Sequence, residues 1–234
     1  PLRGIYGLKP KFKCRLFIRY KDGTKESVVS DSRWKVSTDG PIRKACILDG
    51  EFYDARKELP RWDEPNFDDS DWKEVEVVPR IAVRLVPQPS QPIRVVRELV
   101  PRSVKKIAPD TYIVDMGQNM AGWVRIELNE KAGTQIRIRH AEVLDKEGRL
   151  YRDNLRIRGP LGARQEDFYV CRDGRQIYEP RFTYHGFRYV EIKGVRNKPS
   201  PNSLRGCVVA SDAPLSGFFS SSSDLLNRLM RAIV

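Results

Sequence analysis

Tyr178-Glu179-Pro180-Arg181-Phe182-Thr183-Tyr184-His185-Gly186-Phe187-Arg188-Tyr189-Val190-Glu191-Ile192 decides the fold. The stretch holds five aromatic rings and a histidine, all but Tyr178 lying between Pro180 and the β-branched Val190 and Ile192. Aromatic and β-branched residues favour a pleated, half-buried surface. Read alone, the segment is one strand of an all-β domain.

The neighbouring segments carry the same period. Ile136-Arg137-Ile138-Arg139 alternates strictly, which puts isoleucine inside and arginine on a solvated face. Thr134 to His140, Asp167 to Cys171 and Cys207 to Ala210 read as further strands. Tyr112-Ile113-Val114-Asp115 and Gly122 to Leu128 are predicted as two strands flanking a Gly117-Gln118-Asn119 turn.

The first third of the chain repeats the pattern. Phe12 to Tyr20 nearly alternates, Asp22-Gly23 supplies a tight turn, and Ser27 to Ser30 returns as the partner. Trp34 to Val36, Ala45 to Leu48 and Val75 to Val78 are further short strands. Pro87-Gln88-Pro89-Ser90-Gln91-Pro92 has three prolines in six residues, an extended connector that cannot fully join a ladder. The predicted architecture is all-β: two consecutive antiparallel, jelly-roll-like β-sandwiches at 1–87 and 93–212, joined by a linker at 88–92. Residues 213–234 are read as a connector and one helix. Ser220 to Ser223 with Asp224 signals its start, and Leu225, Leu226, Leu229, Met230 and Ile233 share one face.

Composition narrows the function classes. A net charge of +12 raises a polyanion partner, nucleic acid or acidic glycan. The basic residues are dispersed, however, and alternate with apolar ones, so a solvated arginine-rich surface is the expected reading and nucleic acid is not expected as a partner. Four widely spaced cysteines and two histidines exclude zinc spacing and a multi-histidine metal centre. No apolar run approaches the roughly 20 residues of a membrane helix, so no membrane partner is expected. The chain begins at Pro1 with no secretory h-region. It is expected to be an excerpt or processed product, which leaves its compartment open between cytoplasm and secretion.

The segments together resemble a known family. Gly40-Pro41-Ile42, Asp49-Gly50-Glu51-Phe52-Tyr53-Asp54-Ala55-Arg56, Trp62 and Phe67-Asp68-Asp69-Ser70-Asp71-Trp72 are similar to the N-terminal sandwich of bacterial α-L-rhamnosidases, glycoside hydrolase family 78. Gln91-Pro92-Ile93-Arg94, Asp115 to Trp123, His140-Ala141-Glu142-Val143-Leu144, Asn154-Leu155-Arg156 and Glu179 to Tyr189 resemble the next sandwich. Ile157 to Arg164 departs from the family pattern, which has a shorter, alanine-rich link. The resemblance implies an inverting hydrolase of terminal α-L-rhamnosides whose acid and base lie in a following α/α barrel. This chain would then be an accessory region without catalytic residues; the alternative is a stand-alone carbohydrate-binding module. The implied partners are a rhamnose-containing oligosaccharide or glycoside and the helical domain, met through the C-terminal helix.

Candidate binding residues follow. Glu51, Asp54 and Arg56 admit two readings: a calcium or sugar-hydroxyl site, or an internal Asp54–Arg56 ion pair pinning the sandwich. Calcium is the one cofactor these residues admit. Trp62, beside Pro60 and Asp63, is the candidate exposed sugar platform, and Tyr184 and His185 are placed at a sheet edge facing the helical domain. Asp68, Asp69 and Asp71, and likewise Glu142 and Asp145, are read as hydrated turns, since a general acid needs burial to raise its pKa.

Overall fold

In the computed structural model, residues 9–78, 84, 86–155, 164–214 and 216–233 are described. The departure expected at Ile157 to Arg164 falls almost wholly outside them. The strands in chain order are β1 (Arg15–Arg19), β2 (Lys25–Val29), β3 (Lys35–Val36), β4 (Ile42–Cys46), β5 (Gly50–Asp54) and β6 (Lys73–Glu74). Then follow β7 (Ile93–Leu99), β8 (Ser103–Ala108), β9 (Thr111–Glu130), β10 (Gln135–Ala141), β11 (Val143–Leu144) and β12 (Leu150–Tyr151). The last are β13 (Glu166–Val170), β14 (Gly174–Tyr178), β15 (His185–Lys193) and β16 (Leu204–Ser211), before the helix α1 (Asp224–Ile233).

The described residues are all-β with one short terminal α-helix, as the period-2 pattern requires. A ten-stranded sheet runs β4-β5-β13-β10-β15-β9-β16-β7, with β8 and β14 also paired to β9. β9 is its common strand. The first half of β9 pairs with β8 and β15, the second with β16 and β14. The curled sheet closes on Ile126, Ile136, Ile138, Tyr169, Phe187, Val190, Ile192 and Leu204, all buried. Ile136 and Ile138 face this core while Arg137 and Arg139 stay half-exposed, so the alternation of β10 holds.

Three local readings need correction. Val75 to Val78 carries no strand; the pairing lies just before it, at β6. The opening segment is not one strand, because β14 ends at Tyr178 and β15 begins at His185. Pro180, which has no N–H to offer a ladder, sits in the corner between them. Gly117-Gln118-Asn119 does not reverse the chain: β9 continues through it, and β15 jumps register from Phe187↔Met120 to Tyr189↔Asp115. Residues 116–119 therefore bulge out opposite Arg188, whose guanidinium grips both Asp115 oxygens at 2.8 and 3.0 Å. Gly117 takes a positive φ of 84° to make the bend.

The pairing also crosses the proline-rich connector. β4 and β5 form an antiparallel hairpin, and β5 adds parallel to β13 through Phe52↔Phe168 and Tyr53↔Tyr169. Tyr53 stacks on Tyr169 with ring centroids 5.5 Å apart. Gly50 makes the junction possible. It holds φ at 111°, and a Cβ there would sit 2.1 Å from the Glu166 carbonyl oxygen. β1 with β2 and β3 with β6 form separate two-stranded sheets with no buried residue.

Candidate functional site

The β5–β13 junction gathers the buried polar groups. Glu51, His140, Asp167 and His185 are each no more than 1% exposed. Asp167 Oδ1 accepts the Glu51 N–H at 2.9 Å, and Oδ2 meets His185 Nε2 at 2.9 Å. Glu51 accepts the Arg181 N–H at 3.1 Å and the Phe182 N–H at 3.4 Å, with the Tyr178 hydroxyl at 3.3 Å. One network thus ties β5, β13, β14 and the corner before β15 together. Buried carboxylates are tolerable only when their oxygens are occupied in this way.

The electrostatics follow from burial. Burial raises the Glu51 carboxyl, and the two backbone N–H groups only partly offset it. Burial would raise Asp167 too, but the His185 hydrogen bond and charge outweigh it and hold the carboxyl below its ordinary value. An ionised carboxylate only accepts, so the hydrogen shared with Asp167 lies on His185 Nε2. His140 stacks on His185, centroids 4.0 Å apart and planes 22° from parallel. Its Nδ1 meets the Gln165 carbonyl at 3.1 Å, which makes Nδ1 the donor. Burial, then the neighbouring His185 charge, pushes His140 down to about 3, so it stays neutral.

His140, Asp167 and His185 present ligand atoms within 4.8 Å of one another. They do not suit a metal ion. A cation lies in the plane of each imidazole that binds it, about 2.0–2.1 Å from nitrogen, and rings stacked nearly face to face share no such point. The arrangement is instead a buried hydrogen-bonded clamp.

A cavity of about 160 Å³ opens beside it, lined by Ile47, Leu48, Gln165, Tyr184, His185 and Gly186. His185 Nδ1 and Gln165 Oε1 have no hydrogen-bond partner among the described residues. Tyr184 is 47% exposed. Glu142 lies near the rim, its Oε1 4.0 Å from where a Cβ on Gly186 would be.

The residues singled out from sequence divide into three groups. His185 and Tyr184 meet at the cavity, and Glu51 lies behind them, linked to His185 through Asp167. Asp54 is separate. It neighbours Glu51 on the strand but pairs with Arg56 at 2.9 and 2.8 Å, and it caps the turn that follows by accepting the Arg56 N–H. Glu51 and Asp54 therefore do not converge on a cation, since donors of the protein occupy both carboxylates. The Asp54–Arg56 pair exists, yet Arg56 is half in water, so it is not a sheltered pair. Trp62 is 59% exposed on its loop and does not line the cavity. His140 was legible only as part of a motif, and Asp167, Gln165, Ile47 and Leu48 gave no local signal.

A β-sandwich region with a buried clamp and an adjoining cavity is the class these features define. Residues 2–97 match the α-L-rhamnosidase N-terminal domain, and residues 105–210 match the concanavalin-like domain of bacterial α-L-rhamnosidase. The chain belongs to the bacterial α-L-rhamnosidase family. It is 41% identical over 96% of its length to an α-L-rhamnosidase of Streptomyces avermitilis, and 39% identical over 96% to one of Formosa agariphila. It spans 21% and 24% of those two proteins. The crystal structure of the Streptomyces avermitilis α-L-rhamnosidase complexed with L-rhamnose superposes with a TM-score of 0.85 over 93% of this chain and 21% of that one, at 41% identity. The α-L-rhamnosidase of Dictyoglumus thermophilum gives 0.84 over 92% of this chain and 24% of that one, at 37% identity.

Proposed function

We propose that this chain is the accessory β-sandwich region of a hydrolase of terminal α-L-rhamnosides, with the catalytic acid and base on a helical domain outside it. The tandem of two rhamnosidase-type domains, in order and covering nearly all of the chain, carries this reading. The carboxylates support it. Inverting hydrolysis needs two of them facing a cleft, roughly 6.5–9.5 Å apart with a water between, whereas Glu51 and Asp167 are buried and hydrogen-bonded to protein. The apolar face of α1, where Leu225, Leu226, Leu229 and Ile233 are all exposed, is the surface proposed to meet the helical domain. The proline-rich stretch is proposed as the boundary between the two sandwiches, spanned by the β5–β13 pairing.

Release of p-nitrophenol from its α-L-rhamnoside tests the reading. The chain alone is expected to give buffer-level rates, and the same chain joined to a helical rhamnosidase domain is expected to turn over. Turnover well above buffer by the chain alone overturns it.

A further inference from the structure

We infer that two copies of this chain associate, the basic face of the β1–β2 hairpin of each meeting the acidic 61–71 loop of the other. This goes beyond the hydrolase reading and does not rest on it.

The hairpin carries it. β1 and β2 pair only with each other among the described residues and bury no side chain. A two-stranded sheet on its own is marginal in water. Directly opposed residues share a face of the ladder. The pairs Arg15↔Val29, Phe17↔Ser27 and Arg19↔Lys25 therefore set three cations around Phe17. None of these six residues is acidic, and Glu26, opposite Ile18, lies on the other face. Arg19 and Lys25 are like charges directly opposed, which destabilises the pair unless an anion lies across them. Arg15 leans over the Phe17 ring at 5.2 Å, yet the ring stays 72% exposed. Such a face selects a partner that brings carboxylates and an apolar group together.

The chain itself offers that partner. Residues 61–71, the loop before β6, hold five acidic residues and one basic. Arg61 takes Glu64 and Lys35 takes Asp69, while Asp63, Asp68 and Asp71 form no ion pair among the described residues. Trp62, on the same loop, is 59% exposed. Hairpin face and loop do not cover each other within one chain, since Phe17 and Trp62 both face solvent. Between two copies related by a two-fold axis they meet twice, because an isologous contact repeats each pairing.

The balance of charge favours a second copy over other partners. Residues 9–78 hold 15 basic and 15 acidic residues. A polyanion or an anionic lipid surface drawn to the hairpin would be repelled by the loop of the same unit. A second copy presents both signs, each to its complement.

Sedimentation equilibrium of the full chain tests this. A concentration-dependent monomer–dimer equilibrium is expected, weaker by about tenfold or more at about 1 M salt than at about 0.1 M, as screening shortens to about 3 Å. Arg15→Glu with Arg19→Glu reverses the hairpin, and Asp68→Lys with Asp71→Lys reverses the loop. Each double variant is expected to be monomeric, with the circular dichroism of the unaltered chain. An equimolar mixture of the two is expected to recover the dimer, because every reversed patch then meets its complement. Phe17→Ser changes no charge and removes an exposed ring, so it keeps the test valid if a reversed variant disturbs the fold; it is expected to weaken the dimer about tenfold. Four results overturn the proposal: monomer at every concentration, a dimer indifferent to salt, folded reversed variants that fail to rescue each other, or a dimer that Phe17→Ser leaves as tight. A monomer that binds phosphatidylserine vesicles instead also overturns it, and assigns the hairpin to a lipid surface.

Discussion

His140 and His185 show how one residue type divides into two roles. His185 holds the Asp167 carboxylate, whereas His140 meets the Gln165 carbonyl and packs edge-on against Phe187 at 4.7 Å. A buried neutral histidine couples folding to pH with a definite sign. Its folded pKa lies near 3 against an ordinary 6.5. Between those values the unfolded chain takes a proton that the folded chain refuses. The contribution of His140 is thus fully present above pH 6.5 and is lost as pH falls towards 3, by at most about 1.4 kcal/mol per pH unit. His140→Asn keeps a donor for the Gln165 carbonyl and removes the titration. Urea melts across this range are expected to show a shallower acid loss in the variant; parallel slopes would refute the assignment. Glu51 works in the opposite sense. Its raised pKa favours the folded state as pH falls, so it softens the acid loss rather than causing it. None of this was legible in the sequence. A histidine in a strand looks the same whether it faces a carbonyl, a carboxylate or a cavity, and Asp167 stands 116 residues from the Glu51 amide it holds.

At the scale of elements, periodicity was readable and partnership was not. The alternation of β10 and the serine-led start of α1 are written in the local sequence, and Ser223 does accept from the Leu226 N–H at the helix start. The parallel docking of β5 on β13 is not, because residue types within a strand do not name the strand beside it. The sequence carries one trace of it, Gly50. Its conformation is open to glycine, and its Cβ position is filled by the Glu166 backbone. Gly50→Ala must therefore push β5 off β13 or strain φ, and is expected to cost about 2 kcal/mol or more. Hydrogen exchange localises the effect. Amides of Glu166, which donates to the Asp49 carbonyl, and of Asp54, which donates to Pro41, are expected to lose protection in the variant. β15, paired on both edges, is expected to keep it. Equal loss across β15 and β16 would mean that β5 is not a separable clip but part of one cooperative unit.

Across the whole molecule, the excess of 43 basic over 31 acidic residues is the feature most open to misreading. Sequence cannot say which guanidinium groups are already engaged, because their partners come from other strands. In the folded chain many are. Arg139 and Arg137 share Glu191, Arg125 bridges Glu98 and Glu179, Arg188 holds Asp115, Arg172 meets Glu58 and Arg175 meets Glu127. A guanidinium held by a carboxylate across two strands has less to give a phosphate or a uronate, since binding would first break the existing pair. The uncompensated charge is spread, and charges further apart than about 8 Å act independently at physiological salt. Duplex DNA and rhamnogalacturonan fragments of equal charge are therefore expected to bind this chain negligibly at physiological salt. Both are expected to bind at low salt, with affinities falling steeply and in parallel as salt rises. Parallel slopes would identify a diffuse cationic surface. Retention of rhamnogalacturonan at physiological salt, with DNA lost, would refute this account and require a built acidic-glycan site; retention of DNA alone would require a nucleic-acid surface that the ion pairing of the sheet argues against.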